Sequence, residues 1–235
     1  MPRRSCPPGT NQLLHALPGT IQQDLLDVAE QVPLEFAQVV CESGQFIDYV
    51  YFPLDSFISL LSTLEDGSRV EVGMAGREGM FGMDLVLGVE YSGVQAIVQG
   101  AGQALRIPAA AFRTRLEENA DLRQLMSRYA AVLIAQLTRT AVCNGFHLIE
   151  PRLARWLLMC DDRSDTGTVH LTQRFLAYML GVRRVGITRA AGNLQDQKLI
   201  DYVRGKITIR DRKGLKAVAC SCYQADLDAY TRLLG

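Results

Sequence analysis

Residues 171–213 constrain this chain more than any other stretch, because two short helical periods separated by a glycine lead directly into an alternating hairpin. The first helix is expected from about Gln173 to Leu180, with Thr172 as its N-cap and Gly181 just past its end, where a positive φ costs least. Val182 opens the turn into a second helix. There Ile187, Ala191 and Leu194 face the first helix, and Arg183, Arg184, Thr188 and Arg189 point to solvent at about 100° per residue. Tyr202 to Ile209 alternates around Arg204-Gly205, a two-residue hairpin signal. The pattern predicts a helix-turn-helix followed by a wing. A basic face on a short helix suits the major groove of double-stranded DNA, with the wing tip beside phosphates. A generic helical hairpin with a solvated arginine face carries a similar pattern, so charge distribution is the next discriminator.

The whole chain balances 25 basic against 25 acidic side chains. Its regions do not. Residues 1–149 hold 10 Lys/Arg and 16 Asp/Glu, a net of −6, whereas residues 150–216 hold 14 and 7, a net of +7. A basic segment joined to an acidic one is the footprint of a nucleic-acid domain attached to a part that avoids nucleic acid.

At 235 residues and 48% hydrophobic, the chain can bury one or two cores, and two domains are expected. It contains no run of about 18 apolar residues, and Met1-Pro2-Arg3-Arg4-Ser5-Cys6 leads into Pro-Pro-Gly rather than an apolar segment. A cytoplasmic protein with no membrane association is the expectation. The six cysteines, Cys6, Cys41, Cys143, Cys160, Cys220 and Cys222, show no paired metal-ligand spacing. They are expected to be mostly buried small hydrophobes, with no metal and no cofactor. Gly73 to Gly82 is glycine-rich but has neither dinucleotide spacing nor a phosphate-loop lysine. No nucleophile-elbow or zinc-protease signature occurs, so nothing positive supports an enzyme.

Between about 34 and 110 the chain breaks into short strand candidates: Val50–Phe52, Phe57–Leu61, Val70–Val72, Gln95–Val98 and Ala104–Ile107, with Glu65-Asp66-Gly67-Ser68 as a turn. That spacing predicts a β-roll. A helical segment is expected before it, from Asn11 to Val32, and a short helix after it, from Ala109 to Glu118. From Asn119 to Asn144 the period becomes that of a long helix. Its stripe Leu122, Met126, Tyr129, Leu133 and Leu137 is core if packed on the roll and a dimer seam if packed on a second copy. The seam is the favoured reading. Pro151 sits in the first turn of a further helix from Glu150 to Cys160, which leaves Gly145 to Ile149 as the hinge. The fold class is therefore α+β: a sensor-like roll over 1–118, a dimerisation helix and hinge over 119–147, and a winged helix-turn-helix with a tail over 148–235.

This order of elements resembles the Crp/Fnr transcription regulators over nearly the whole chain. The resemblance is most specific at Leu171-Thr172-Gln173, at Leu180-Gly181-Val182-Arg183-Arg184, and at Leu194-Gln195-Asp196-Gln197-Lys198-Leu199-Ile200. It implies a sequence-specific DNA-binding homodimer on a two-fold symmetric site, with RNA polymerase as a further partner. Arg184 and Arg189 fall where the family places base- and phosphate-contacting arginines, and Thr172, Gln173, Arg183, Thr188, Arg204 and Lys206 complete the expected interface. Val185 stands where cyclic-AMP-responsive members carry a glutamate, so a contact to cytosine is lost.

The resemblance also implies an effector cassette in the roll, and here the chain departs from the family. Cyclic-nucleotide binders carry a glycine-glutamate pair for the ribose and an arginine-serine pair for the phosphate. Gly82-Met83-Asp84 and Ser92-Gly93-Val94 stand at those places, so Met83 replaces the carboxylate and Gly93 the arginine. Burying a cyclic phosphate without its cation is costly, so cyclic AMP is not the expected effector unless Asp84 and Arg77 or Arg106 serve in its place. The effector itself is left unknown. An iron-sulfur sensor is disfavoured because only Cys6 lies near the N-terminus. Cys220-Ser-Cys222 is a poor disulfide, since residues two apart on a helix or strand project apart. A redox-responsive regulator, or a haem-responsive one using His15, His147 or His170, stays open as an alternative. So does a winged-helix module whose basic face docks an acidic protein.

Overall fold

The computed structural model describes residue 7, residues 9–164 and residues 168–235, the side chains of 168–170 excepted. Cys6 and the His170 side chain therefore lie outside the described residues. Two short helices open the chain, α1 (Gln12–His15) and α2 (Gly19–Leu26). Asn11 caps α1, its Oδ1 accepting from Leu13 N and Leu14 N, while its Nδ2 donates to Pro53 O and Gly79 O and anchors α1 to the roll. The single helical segment expected over 11–32 is corrected. Residues 30–34 form a strand instead, because pairing with residues 102–106 outweighs local helical pattern.

The roll consists of β1 (Glu30–Leu34), β2 (Val39–Cys41), β3 (Tyr49–Pro53), β4 (Phe57–Thr63), β5 (Arg69–Ala75), a one-turn 3-10 helix (Met83–Leu87), β6 (Gln95–Gly100) and β7 (Gly102–Pro108). Its two antiparallel sheets have the orders β1-β7-β3 and β2-β6-β4-β5. Pro33 is tolerated because β1 is an edge strand. Val50, Phe52, Ile58, Val98, Ala104 and Ile107 are fully buried inside the roll.

Helix α3 (Ala109–Glu118) closes one end, with Phe112 in edge contact with Phe52. Helix α4 (Ala120–Phe146) follows, with Asn119 Oδ1 accepting from Asp121 N and Leu122 N at its start. The expected dimer stripe is corrected in part. Leu122, Met126 and Tyr129 are at most 2% exposed and belong to the core of the chain's own roll, while Leu133 is partly buried against it. The fit is close: a Cβ on Gly79 would stand 2.0 Å from the Tyr129 hydroxyl, so only glycine lets the roll approach α4 here.

His147 and Leu148 are extended and break the helix, inside the expected hinge. Helix α5 (Ile149–Arg163) then starts the C-terminal unit, completed by β8 (Thr168–His170), α6 (Gln173–Leu180), α7 (Arg184–Asp196), β9 (Ile200–Val203), β10 (Lys206–Ile209), α8 (Arg212–Val218) and α9 (Cys222–Leu234). Its core of Leu153, Leu157, Leu176, Ile187, Leu194, Ile200 and Leu215 is continuous with Phe57, Leu61, Met74 and Ile97 of the roll. Polar pairs cross the same boundary. Trp156 Nε1 donates to Glu71 Oε1 at 2.9 Å, and Arg163 pairs with Glu78 at 2.7 Å. The tail is no loose end: α9 returns to α4, where Arg139 and Arg155 both pair with Asp226.

Candidate nucleic-acid interface

Helix α6 begins where Thr172 Oγ1 accepts from Phe175 N, and it ends at Gly181 with φ +60°, both at the expected positions. Helix α7 then crosses it, burying Ile187, Ala190, Ala191 and Leu194. That burial leaves Arg183, Arg184, Val185, Thr188 and Arg189 exposed on the opposite side. Val185 is 72% exposed, and an apolar side chain presented among arginines offers a methyl contact but no hydrogen bond.

The wing is a two-residue hairpin. Arg204 and Gly205 have φ of +51° and +80°, the left-handed pair required by the tight turn that matches strand twist. Lys206 pairs with Val203 across the turn and with His170 on the other side, so the wing is the middle and edge of the sheet β8-β10-β9.

Between the start of α6, the start of α7 and the wing lies an open depression of about 530 Å³. Thr172, Gln173, Arg184 and Arg204 meet there, four of the eight residues expected at the interface. Gln173 Oε1 accepts from Thr188 Oγ1 at 2.8 Å, which ties a fifth to the group. Arg183, Arg189 and Lys206 are exposed but do not line the depression.

Two further lining residues escaped the sequence reading. Arg174 lies at the start of α6, its Nε donating to the Tyr178 hydroxyl. Tyr202 donates its hydroxyl to Leu171 O, just before α6, and its backbone N–H to Gln195 Oε1 on α7, so this residue ties the wing to both. Burial pushes the Tyr202 hydroxyl above its ordinary pKa, while Arg184 draws it back. Tyr202 therefore stays a neutral donor. Alternation had identified it only as a strand residue; its role depends on the sheet lying beside the helix pair.

The expected effector cassette is packed at Met83 and open at Gly93. Met83 is 5% exposed and joins the roll core, so its thioether serves as packing. Asp84 beside it is half-buried, and burial raises its pKa. Gly93 brings no cation, and the Ser92 hydroxyl donates to Val94 O at 2.8 Å. Arg106 pairs with Glu30 at 2.5 Å and lies over the Tyr49 ring, and is committed elsewhere.

Residues 31–119 match the cyclic nucleotide-binding domain and residues 151–218 the Crp-like helix-turn-helix domain. Together these span most of the chain, which belongs to the Crp/Fnr family. It is a Crp-like transcription regulator with a helix-turn-helix DNA-binding domain. A global nitrogen regulator from Nostoc sp. is 26% identical over 175 residues, covering 71% of this chain and 78% of the relative. The fold is shared with FixK2 from Bradyrhizobium japonicum, at 17% identity and a TM-score of 0.70, covering 83% of this chain and 98% of that one. A regulator of the Crp/Fnr family from Eubacterium rectale superposes with a TM-score of 0.67 at 17% identity, covering 88% and 96%. No described helix is long and apolar enough to cross a membrane.

Proposed function

We propose that the chain acts as a homodimer on a two-fold symmetric DNA site, with two copies of α7 entering successive major grooves about 34 Å apart. The exposed basic face of α7 beside the wing carries this reading. Arg184 and Arg189 serve base and nearby phosphate contacts, and Arg183, Arg204 and Lys206 position the backbone. RNA polymerase is a further partner of the bound dimer.

The seam of the dimer is the outer face of α4. Ala131, Ile134, Thr138, Val142 and Phe146 follow one another at helical spacing, and Ile134, Val142 and Phe146 are 54%, 48% and 84% exposed. An apolar stripe of this length on a long helix is satisfied by its own copy. The three segments 1–118, 119–147 and 148–235 then act as sensor-like roll, dimer helix and DNA-binding unit.

Cyclic AMP does not control this regulator. The buried Met83 and the uncharged Gly93 support that reading, since neither supplies a charged partner for the ribose or the phosphate. Selection from a randomised duplex library with the purified protein, followed by titration of the best site with and without cyclic nucleotides, tests the whole proposal. The expected result is a palindrome enriched without added nucleotide. Enrichment only after cyclic AMP is added would overturn the reading of the cassette, and no salt-sensitive sequence preference under either condition would overturn the DNA role.

A further inference from the structure

Spacing along the chain conceals a group that folding assembles. Cys143 and His147 are one turn apart at the end of α4, and Cys220 and Cys222 flank the start of α9. Their ligand atoms, three Sγ and one imidazole nitrogen, all lie within 4.8 Å of one another. Cys143 Sγ is 3.5 Å from Cys220 Sγ, and Cys222 Sγ is 3.6 Å from His147 Nδ1. Cys220 and Cys222, expected to project apart, nevertheless bring their Sγ atoms within 4.8 Å of one another.

We propose that Cys143, His147, Cys220 and Cys222 form a closed, mononuclear Zn²⁺ site that ties the end of the dimer helix to the C-terminal helix. Tetrahedral zinc with bonds of ~2.3 Å to sulfur and ~2.0 Å to nitrogen places neighbouring ligand atoms about 3.5–3.8 Å apart, and the observed separations of 3.5 and 3.6 Å fit. The donor set argues for the same ion, since three thiolates and one imidazole favour zinc over hard oxygen-seeking cations. The three cysteines are buried in a small cluster of their own, apart from both large cores, so they do not serve as packing for either.

Charge is also provided for. Zn²⁺ with three thiolates and a neutral imidazole carries a net charge of −1, and Arg152 and Arg155 line the same small cavity as Cys143. Binding forms three Zn–S bonds and one Zn–N bond and releases the three thiol protons to water. Four protein ligands leave no open position, which makes the site structural. Its place gives it a consequence: His147 is the first residue of the break between α4 and α5, so a bound ion holds the hinge that orients the DNA-binding unit.

Co²⁺ titration of the reduced, metal-free full-length chain tests the assignment. One equivalent per chain is expected to produce intense tetrahedral ligand-field bands and thiolate-to-cobalt charge transfer, both abolished by one equivalent of Zn²⁺. Cys143→Ser and Cys222→Ser should each weaken binding by more than about 100-fold, beyond the usual effect of an outer-shell change, while Cys41→Ser keeps the spectrum. Because the first readout uses the wild-type chain, a misfolded variant cannot decide the matter. Absence of the charge-transfer bands in the wild type, their persistence in the Cys143→Ser/Cys222→Ser double variant, or uptake of an iron-sulfur cluster in place of a single ion would each overturn the proposal.

Discussion

Trp156, on the first helix of the DNA-binding unit, donates its indole N–H to Glu71 on strand β5 of the roll at 2.9 Å, and the other carboxylate oxygen accepts from Ser59 at 2.5 Å. Glu71 is thus a buried acid at the boundary between the two halves. Burial pushes its pKa up from 4.5 to about 7, against the opposing pull of Ser59, Trp156 and Arg163.

Stability should consequently depend on pH in one direction. Between pH 4.5 and 7 the folded chain holds a proton on Glu71 that the unfolded chain has released, so stability falls as pH rises through this window and levels off above it. The full swing is on the order of 3 kcal/mol. Glu71→Gln retains an oxygen for Trp156 and supplies an N–H to Ser59, and should flatten the window while raising the melting temperature at pH 8. Calorimetry of both proteins from pH 5 to 8 checks this; an unchanged slope in the variant would remove Glu71 as its source.

The second boundary contact is an ion pair, Arg163 with Glu78, 1% and 4% exposed. Arg163→Met leaves an unpaired buried carboxylate and should cost about 3–5 kcal/mol in urea unfolding. Adding Glu78→Gln removes that charge, keeps an acceptor for Gly76 N–H, and should restore much of the loss. Equal instability of single and double variants would mean that packing, not charge, dominates there.

Arg184 and Lys206 should separate specificity from affinity. Arg184→Ala is expected to lower the ratio of target to random-DNA affinity by about 1–3 kcal/mol, the worth of a bidentate contact to guanine. Lys206→Ala should weaken both sequences about equally and reduce the salt slope by about one. Fluorescence anisotropy at several salt concentrations measures both; equal losses of specificity would contradict the division of roles.

On α4, two substitutions one face apart should behave oppositely. Ile134→Glu, on the exposed stripe, is expected to shift sedimentation from dimer to monomer with little change in unfolding. Met126→Ala, inside the roll, should cost about 2–5 kcal/mol and leave assembly intact. A dimer that survives Ile134→Glu would place the seam elsewhere.

The sequence alone determined the features set by neighbours along the chain. Thr172 and Gly181 bound α6, Arg204-Gly205 makes the wing turn, and the period of α7 separates its buried face from Arg183, Arg184 and Arg189. Each depends on local backbone preference or on the 3.6-residue repeat. Tertiary structure decided what depends on which surfaces meet. The stripe of Leu122, Met126 and Tyr129 is equally apolar whether a roll or a second helix covers it, and only the position of the roll selects between them. Residues 30–34 became a strand because β7 was there to pair with, and Tyr202 joined the interface because the wing lies against α6 and α7. Cys143 and Cys220, 77 positions apart, meet only because α9 folds back onto α4. Periodicity reports which side of an element is apolar; it carries no information about what that side will meet.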